Sequence, residues 1–324
     1  MNKTLQRVVA LVCVLVMILA LSSCDTEHEH KEEYFTVTFN TNGGSKIDPV
    51  EIKHGKTLPA QAPPVRENYI FCYWECGGNL WKFDVMHVKN NMTLDAIWIA
   101  ADELFELNTV DGGIEIVGIK KQLGFDVLSI PSTINGKTVV GLSEEALMGI
   151  HDGHADAIIF PSTLTYVKKG ALKEISVVGL SFSGPLSSVG ESAFENCTTL
   201  KSITLAGGMT SIPFLAFAGC SALSTVNIPE GVLTVEENAF DACTALLTVV
   251  LPKSLVAIEN GAFDGCTSLK TVFFAGNEQE FDKVEIALAN DALRDATVYF
   301  YSEQKPSTEN THWHYNEKNV PVIW

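Results

Sequence analysis

"NAFDACTALLTVVLPKSLVAIENGAFDGC", residues 238–266, opens and closes on nearly the same hexapeptide. Asn238-Ala-Phe-Asp-Ala-Cys243 returns 23 positions later as Gly261-Ala-Phe-Asp-Gly-Cys266. Upstream, the same step of 23 recovers Leu215-Ala-Phe-Ala-Gly-Cys220 and Ser192-Ala-Phe-Glu-Asn-Cys197. Other columns keep this spacing: Leu200, Leu223, Leu246 and Leu269, then Val189, Ile212, Val235 and Ile258. Between hexapeptides, apolar residues stand two apart, as Ile203/Leu205, Val226/Ile228, Val249/Leu251 and Val272/Phe274. That is the period of a strand with one buried face.

A step of 23 lies in the range of solenoids. One coil of this length cannot bury its own apolar side chains. Coils stacked in register place each column against itself, and the columns become a continuous core. Ala is small where the backbone turns close to its neighbour, and Phe fills the wide part of the coil. Pro131, Pro161, Pro229 and Pro252 end strands where each coil must turn. Earlier coils are degenerate: Leu172 takes the Phe column 22 residues before Phe194, and Leu147 takes it 25 before that. Cys197, Cys220, Cys243 and Cys266 have no basic neighbour to lower their pKa and no zinc spacing. They read as stacked inert thiols, each a small buried hydrophobe. A disulfide between adjacent coils stays open as the alternative.

This pattern over 125–275 resembles the BspA-type leucine-rich repeat of bacterial surface proteins. Residues 112–139 are similar to that family's N-terminal lead-in. The stretch 296–324, rich in aromatic residues, is similar to its closing segment, whose aromatics would cover the last coil. The resemblance implies a β-rich solenoid over 100–324, with a lead-in at 100–127 and a closing segment at 276–324.

A different pattern precedes it. In "YFTVTFNTNGG", Phe35, Val37 and Phe39 alternate with Thr36, Thr38 and Asn40, which describes a half-buried strand. Asn42-Gly43-Gly44 tolerates positive φ and turns the chain. "YIFCYW" and "LDAIW" are further strand candidates. Val37-Thr-Phe-Asn40, Asn42-Gly-Gly44, Pro63-Pro64, Tyr69-Ile-Phe71, Trp74, Phe83-Asp84 and Thr93–Trp98 together resemble the Listeria–Bacteroides repeat. That resemblance implies a small β-grasp-like module over 34–99 with no enzymatic role. Cys72 and Cys76 lie about 13 Å apart if both sit on one extended strand, too far to bond. A turn at Gly77-Gly78 would leave a disulfide open.

The first residues belong to neither unit. Lys3 and Arg7 precede Val8–Leu21, an apolar run of 14 residues, short of the ~20 that span a bilayer. Residues 1–23 therefore read as a signal peptide. Leu21-Ser-Ser-Cys24 resembles the lipobox of bacterial lipoproteins, which implies cleavage before Cys24 and lipid attachment to its thiol. Residues 24–33 hold no apolar side chain beyond Cys24 and read as a solvated tether. His28 and His30 within it make only a weak metal tail.

Formal charge is −17, and losing Lys3 and Arg7 with the signal takes it to −19. Such a surface repels phosphate backbones and argues against nucleic acid. Attachment to a membrane is expected through the lipid on Cys24. "GLSFSG" at 179–184 lacks the spacing of a nucleophile elbow. His312 and His314 would share a strand face, and Glu236, Glu259, Asp241 and Asp264 recur at the coil step. Neither set converges on a reaction centre, so no enzyme, cofactor or metal is expected. Binding is the better candidate. Outward positions of the strands form an open face, and Thr204, Asn227, Val250 and Phe273 form a column that grows more apolar toward the C-terminus: a docking strip, or plain strand propensity with Phe273 hidden under the closing segment. The expected function is adhesion or protein interaction at the cell envelope, facing outward, with an extracellular protein or glycan as partner. The alternative is a scaffold or glycan-capture component of a surface complex.

Overall fold

The computed structural model describes residues 32–121, 127–148, 156–306, 311–318 and 320–324. The signal peptide, Cys24, His28 and His30 lie outside the described residues. Among the described residues, no helix is long and apolar enough to cross a membrane. Glu33, placed at the end of the tether, stands just before the first strand, and its carbonyl accepts a hydrogen bond from His54 N at 2.8 Å.

Residues 34–100 form a mixed five-stranded sheet. Its order is Val50–Lys53, Tyr34–Asn40, Met92–Ala100, Tyr69–Cys76 and Asn79–Leu80. Tyr34–Asn40 and Met92–Ala100 run parallel at the centre, and the other pairs are antiparallel. Val37, Phe39, Leu58, Phe71, Trp74, Trp81, Val88, Leu94 and Ala96 make its core. Among the described residues no helix lies between these strands, which leaves the β-grasp likeness without the helix such a fold packs on its sheet.

The rest of the chain is a β-solenoid. Parallel strands Val127–Ser129, Ala157–Phe160, Gly179–Phe182 and Ser202–Thr204 form the first half of the main sheet. Thr225–Asn227, Thr248–Leu251, Thr271–Phe274 and Thr297–Tyr301 make its second half, separated by a break in the ladder after Ser202–Thr204 and then in coil-to-coil register, Thr225 beside Thr248 beside Thr271 beside Thr297. Short parallel strands such as Ser211–Ile212, Thr234–Val235 and Ala257–Ile258 close a second side. The hexapeptides form the third. There the N–H of Phe194, Phe217 and Phe240 donates to the carbonyl of Ala216, Ala239 and Ala262 of the next coil, each at 2.8 Å.

The phenylalanines stack face to face. Ring centroids of Phe194, Phe217, Phe240 and Phe263 lie 4.8, 5.1 and 5.1 Å apart, within 9° of parallel. These separations match the strand spacing, because each ring is carried by its own coil. Each thiol of the Cys column donates to the main-chain oxygen of the Phe-column residue one coil back: Cys197 to Leu172 at 3.1 Å, Cys220 to Phe194 at 3.1 Å, Cys243 to Phe217 at 3.2 Å and Cys266 to Phe240 at 3.2 Å. All four are free and buried. Burial pushes the Cys243 thiol up and the Cys266 thiol to about 12. Cys72 and Cys76 are free as well. Cys72 belongs to the solenoid's core cluster, while Cys76 packs against the small sheet's core.

Two features at the ends were not in the repeat pattern. After Phe274 the chain builds one more coil of different construction. Glu285–Ile286 pairs with Ala257–Ile258, Thr297–Tyr301 pairs with Thr271–Phe274, and the helix Asp291–Arg294 lies between. The closing part proper is then the strand His312–Tyr315 with its antiparallel partner Pro321–Ile323. At the other end the small sheet docks on the first coils. Ile70 and Cys72 share one buried cluster with Leu104, Phe105, Leu128 and Ile130. Asn68 accepts twice there, from Ala101 N at its carbonyl and from Asn135 N at its side chain, at 2.9 and 2.7 Å.

Candidate interaction surface

The main sheet alternates as expected. Val226, Val249 and Val272 point into the core, and the residues on either side of each point out. The outward side carries two rows. One is Thr225, Thr248, Thr271 and Thr297; the other is Asn227, Val250, Phe273 and Tyr299. Thr204, on the strand Ser202–Thr204, is exposed, and so is Asn227.

Val250 and Phe273 are not exposed, which takes them out of the docking column and agrees with the alternative of a Phe273 hidden under the closing segment. They retain 5% and 6% of their accessible surface. Trp313, fully buried, lies against them, its ring 5.3 Å from that of Phe273 and its Nε1 donating to Phe274 O at 2.9 Å. Tyr301 and Tyr315 pack edge-on to the Trp313 ring at 5.2 and 4.9 Å. An apolar pair on an outward sheet face gains by being covered, and the closing strand supplies the cover. The aromatic closing segment therefore does cover the last coils, and in doing so takes half of the column out of solvent.

What stays open is polar: Lys201, Ser202, Thr204, Ser224, Thr225 and Asn227 are all exposed. Beneath them the strand ladder is interrupted between Ser202–Thr204 and Thr225–Asn227, where Ser224 N donates to Lys201 O at 3.5 Å, and each strand is held by its ladder partner on the far side. Tyr315 marks the border. Burial raises its hydroxyl pKa, and a hydrogen bond with Asn227 acts in the opposite direction.

The other candidate groups do not converge. His312 Nδ1 lies 2.8 Å from Thr311 Oγ1, and His314 stacks on Trp324 with ring centroids 3.8 Å apart. Glu236 and Glu259 are used locally, accepting from Phe214 N and Glu237 N at 3.0 and 3.1 Å. Asp241 is pushed up by burial and then by the neighbouring Asp264. Among the described residues, no three His, Cys, Asp or Glu side chains gather to hold a metal ion. Gly179–Phe182 is a ladder strand paired on both sides, which gives Ser181 no sharp turn to sit on.

Asn290 carried no signal in the repeat, yet it is fully buried and makes four hydrogen bonds. Its Oδ1 accepts from Phe263 N at 2.9 Å, and its Nδ2 donates to Glu259 O, Ala287 O and Leu288 O at 2.9, 3.0 and 3.1 Å.

In-register coils of about 23 residues, with a parallel sheet on one side and stacked hexapeptides on another, define a leucine-rich repeat solenoid. Residues 144–245 and 188–288 belong to the BspA type leucine rich repeat region, and residues 35–97 to the Listeria-Bacteroides repeat domain. Two proteins of Evansella cellulosilytica are similar to parts of the chain. One, provisionally named a Gly-rich membrane protein, is 28% identical over 153 residues, which is 46% of this chain and 17% of that protein. The second, provisionally named a membrane protein, is 39% identical over 67 residues, 20% of this chain and 10% of that one. The chain thus spans less than a fifth of either relative. Solved structures of similar proteins include a leucine rich cell surface protein from Faecalibacterium prausnitzii, with TM-score 0.42 and 22% identity over 56% of this chain and 40% of that one. Another is the T. pallidum leucine rich repeat protein, with TM-score 0.38 and 24% identity over 58% of this chain and 79% of that one.

Proposed function

We propose that the chain is a non-catalytic protein-interaction module of the bacterial cell envelope. The observation that carries this reading is the open half of the main sheet. Ser202, Thr204, Thr225 and Asn227 stand exposed on consecutive strands of a rigid solenoid, with short polar side chains that lose little entropy on binding. Membership of its repeats in a family of surface proteins supports the location. The signal-like residues 1–23 and the Leu-Ser-Ser-Cys24 sequence support anchoring by a lipid on Cys24. The partner in this reading is an extracellular protein, such as a host matrix protein or a component of another cell, and the role is adhesion.

Surface plasmon resonance over immobilised fibronectin and collagen tests the partner class. Saturable binding is expected, weakened at least about tenfold by the double change Thr204→Lys and Asn227→Lys, equivalent to about 1.4 kcal/mol. Both positions are exposed, so folding is expected to be retained. Binding that survives the double change would remove this face from the proposal, and no binding to either protein would remove the matrix-protein partner.

A further inference from the structure

We propose that a cleft at the C-terminal end of the solenoid binds a neutral saccharide. The cleft has a volume of about 500 Å³, and Glu278, Gln279, Phe300, Tyr301, Thr311 and His312 line it. It lies between the start of the helix Glu278–Phe281 and the strand His312–Tyr315, with the last full strand of the main sheet, Thr297–Tyr301, at its base. Its volume falls within the ordinary range of small-molecule sites.

The chemistry of the lining selects the ligand class. Phe300 is half-buried and packs on one side against the core, its ring 6.2 Å from Phe281. It therefore has a fixed position and an accessible surface. The negative face of an aromatic ring favours the polarised C–H groups of a sugar's flat side. Around it stand a carboxylate, a carboxamide, a hydroxyl and an imidazole, which together offer both donors and acceptors. Asn277 also borders the cleft, but its side chain is engaged in the helix cap with Glu280. Glu280 is paired with Lys253. Glu278 and Gln279 remain exposed beside these engaged groups.

Charge narrows the class further. Among the described residues no Lys or Arg lines the cleft, Glu278 does, and the chain as a whole is −17. An anionic ligand would meet a repulsive field with nothing to neutralise it. A purely apolar ligand would leave the polar groups unpaired. A neutral pyranose satisfies both faces at once. Thr204 and Asn227 do not line this cleft, so the site is separate from the sheet face proposed above.

Saturation-transfer NMR on the folded chain tests it, with glucose, galactose and N-acetylglucosamine as neutral probes, glucuronate as an anion and glucosamine as a cation. Saturable transfer to at least one neutral sugar is expected, with affinity on the order of millimolar, as a shallow site without charge pairing implies. Glucuronate should bind at least about tenfold more weakly than glucose. Gln279→Ala and His312→Ala, each near the surface, should abolish the transfer while leaving the melting temperature unchanged. The double change Thr204→Lys and Asn227→Lys should leave it intact. Transfer that survives Gln279→Ala combined with His312→Ala overturns the proposal. So does transfer confined to glucosamine, which would mark a cation site at Glu278, and so does the absence of transfer to every neutral probe.

Discussion

Asn290 performs with one side chain what a whole coil performs elsewhere. In the interior, the N–H of each ladder phenylalanine donates to an alanine carbonyl of the next coil. Phe263 has no such neighbour, because the helix Asp291–Arg294 replaces the hexapeptide, and Asn290 Oδ1 takes the place of the missing carbonyl. Its amide then satisfies Glu259 O and two carbonyls of its own turn. Burying main-chain groups without partners is costly, so an end of the stack needs such a substitute. Asn290→Ala removes it, leaves Phe263 N buried and unpaired, and leaves Glu259 O with only its longer bond from Ala262 N at 3.3 Å. The expected loss is roughly 1–3 kcal/mol, the cost of stranding one such group. It should appear as a fall in the urea midpoint with little change in slope. A midpoint equal to that of the parent would show that the chain end rearranges to supply other partners.

The strands and coils differ in how plainly they could be read in advance. Phe194, Phe217, Phe240 and Phe263 announced themselves because one contact is repeated at every coil, and repetition is what a sequence displays. Cover for Phe273 was legible in the aromatic closing segment, but the burial of Val250 was hidden. Alternation placed them on the outward side correctly, but their cover comes from Trp313, which joins them only through the return of the closing strand. Asn290 was hidden because a stack end occurs once and leaves no column. One overlooked signal was present. "YIFCYW" at 69–74 is apolar on both faces, which is the mark of a strand buried on both sides, and its second face meets the solenoid. The lead-in strand Gly113–Ile119 held another surprise in Glu115, whose side chain is almost fully buried on the outward side of its sheet. It accepts from Asn108 Nδ2 at 3.3 Å and from Tyr166 Oη at 3.1 Å, and it pairs with Lys168 Nζ at 2.8 Å. Gly141 lies in register between the Glu115 and Tyr166 strands; a Cβ there would fall 2.1 Å from the Tyr166 ring, so glycine is what lets the tyrosine reach across. Burial pushes the Glu115 carboxyl up, but the bonds from Lys168, Asn108 and Tyr166 outweigh it and hold the group below its ordinary range. A carboxylate depressed in the folded state contributes stability above its unfolded value of about 4.3, and that stability is lost as pH falls through the folded value. Tyr166, raised to about 12 by burial and by Glu115, contributes below its unfolded value of about 10 and loses the contribution as pH climbs through about 12. Urea titrations across pH should therefore show Glu115→Gln with a shallower acid limb than the parent. Parallel acid limbs would mean that the network does not survive in solution.

The solenoid has two ends, and each presents the unpaired face of a coil. The closing strands, with Trp313 and Asn290, finish the C-terminal one. At the other, the small sheet is in contact: Ile70 is fully buried among Leu104, Phe105 and Leu128, and Asn68 ties the strand Tyr69–Cys76 to Ala101 and Asn135. Repeat stacks need ends that cover the core and keep it from water, and their stability passes from neighbour to neighbour along the stack. A covering role for the small sheet makes a directional prediction. Ile70→Ala removes buried methyl groups at this contact and is expected to cost about 2–5 kcal/mol locally. Hydrogen exchange should then quicken most in Val127–Ser129, less in Ala157–Phe160 and Gly179–Phe182, and not at all in Thr248–Leu251, which lies many coils away. The small sheet's own core around Val37 and Leu94 does not include Ile70, so its protection should be largely retained. If exchange quickened only within residues 34–100, the sheet would be a passenger on the solenoid. A gradient that fades coil by coil from Val127 would show that the small sheet seals the stack that follows it.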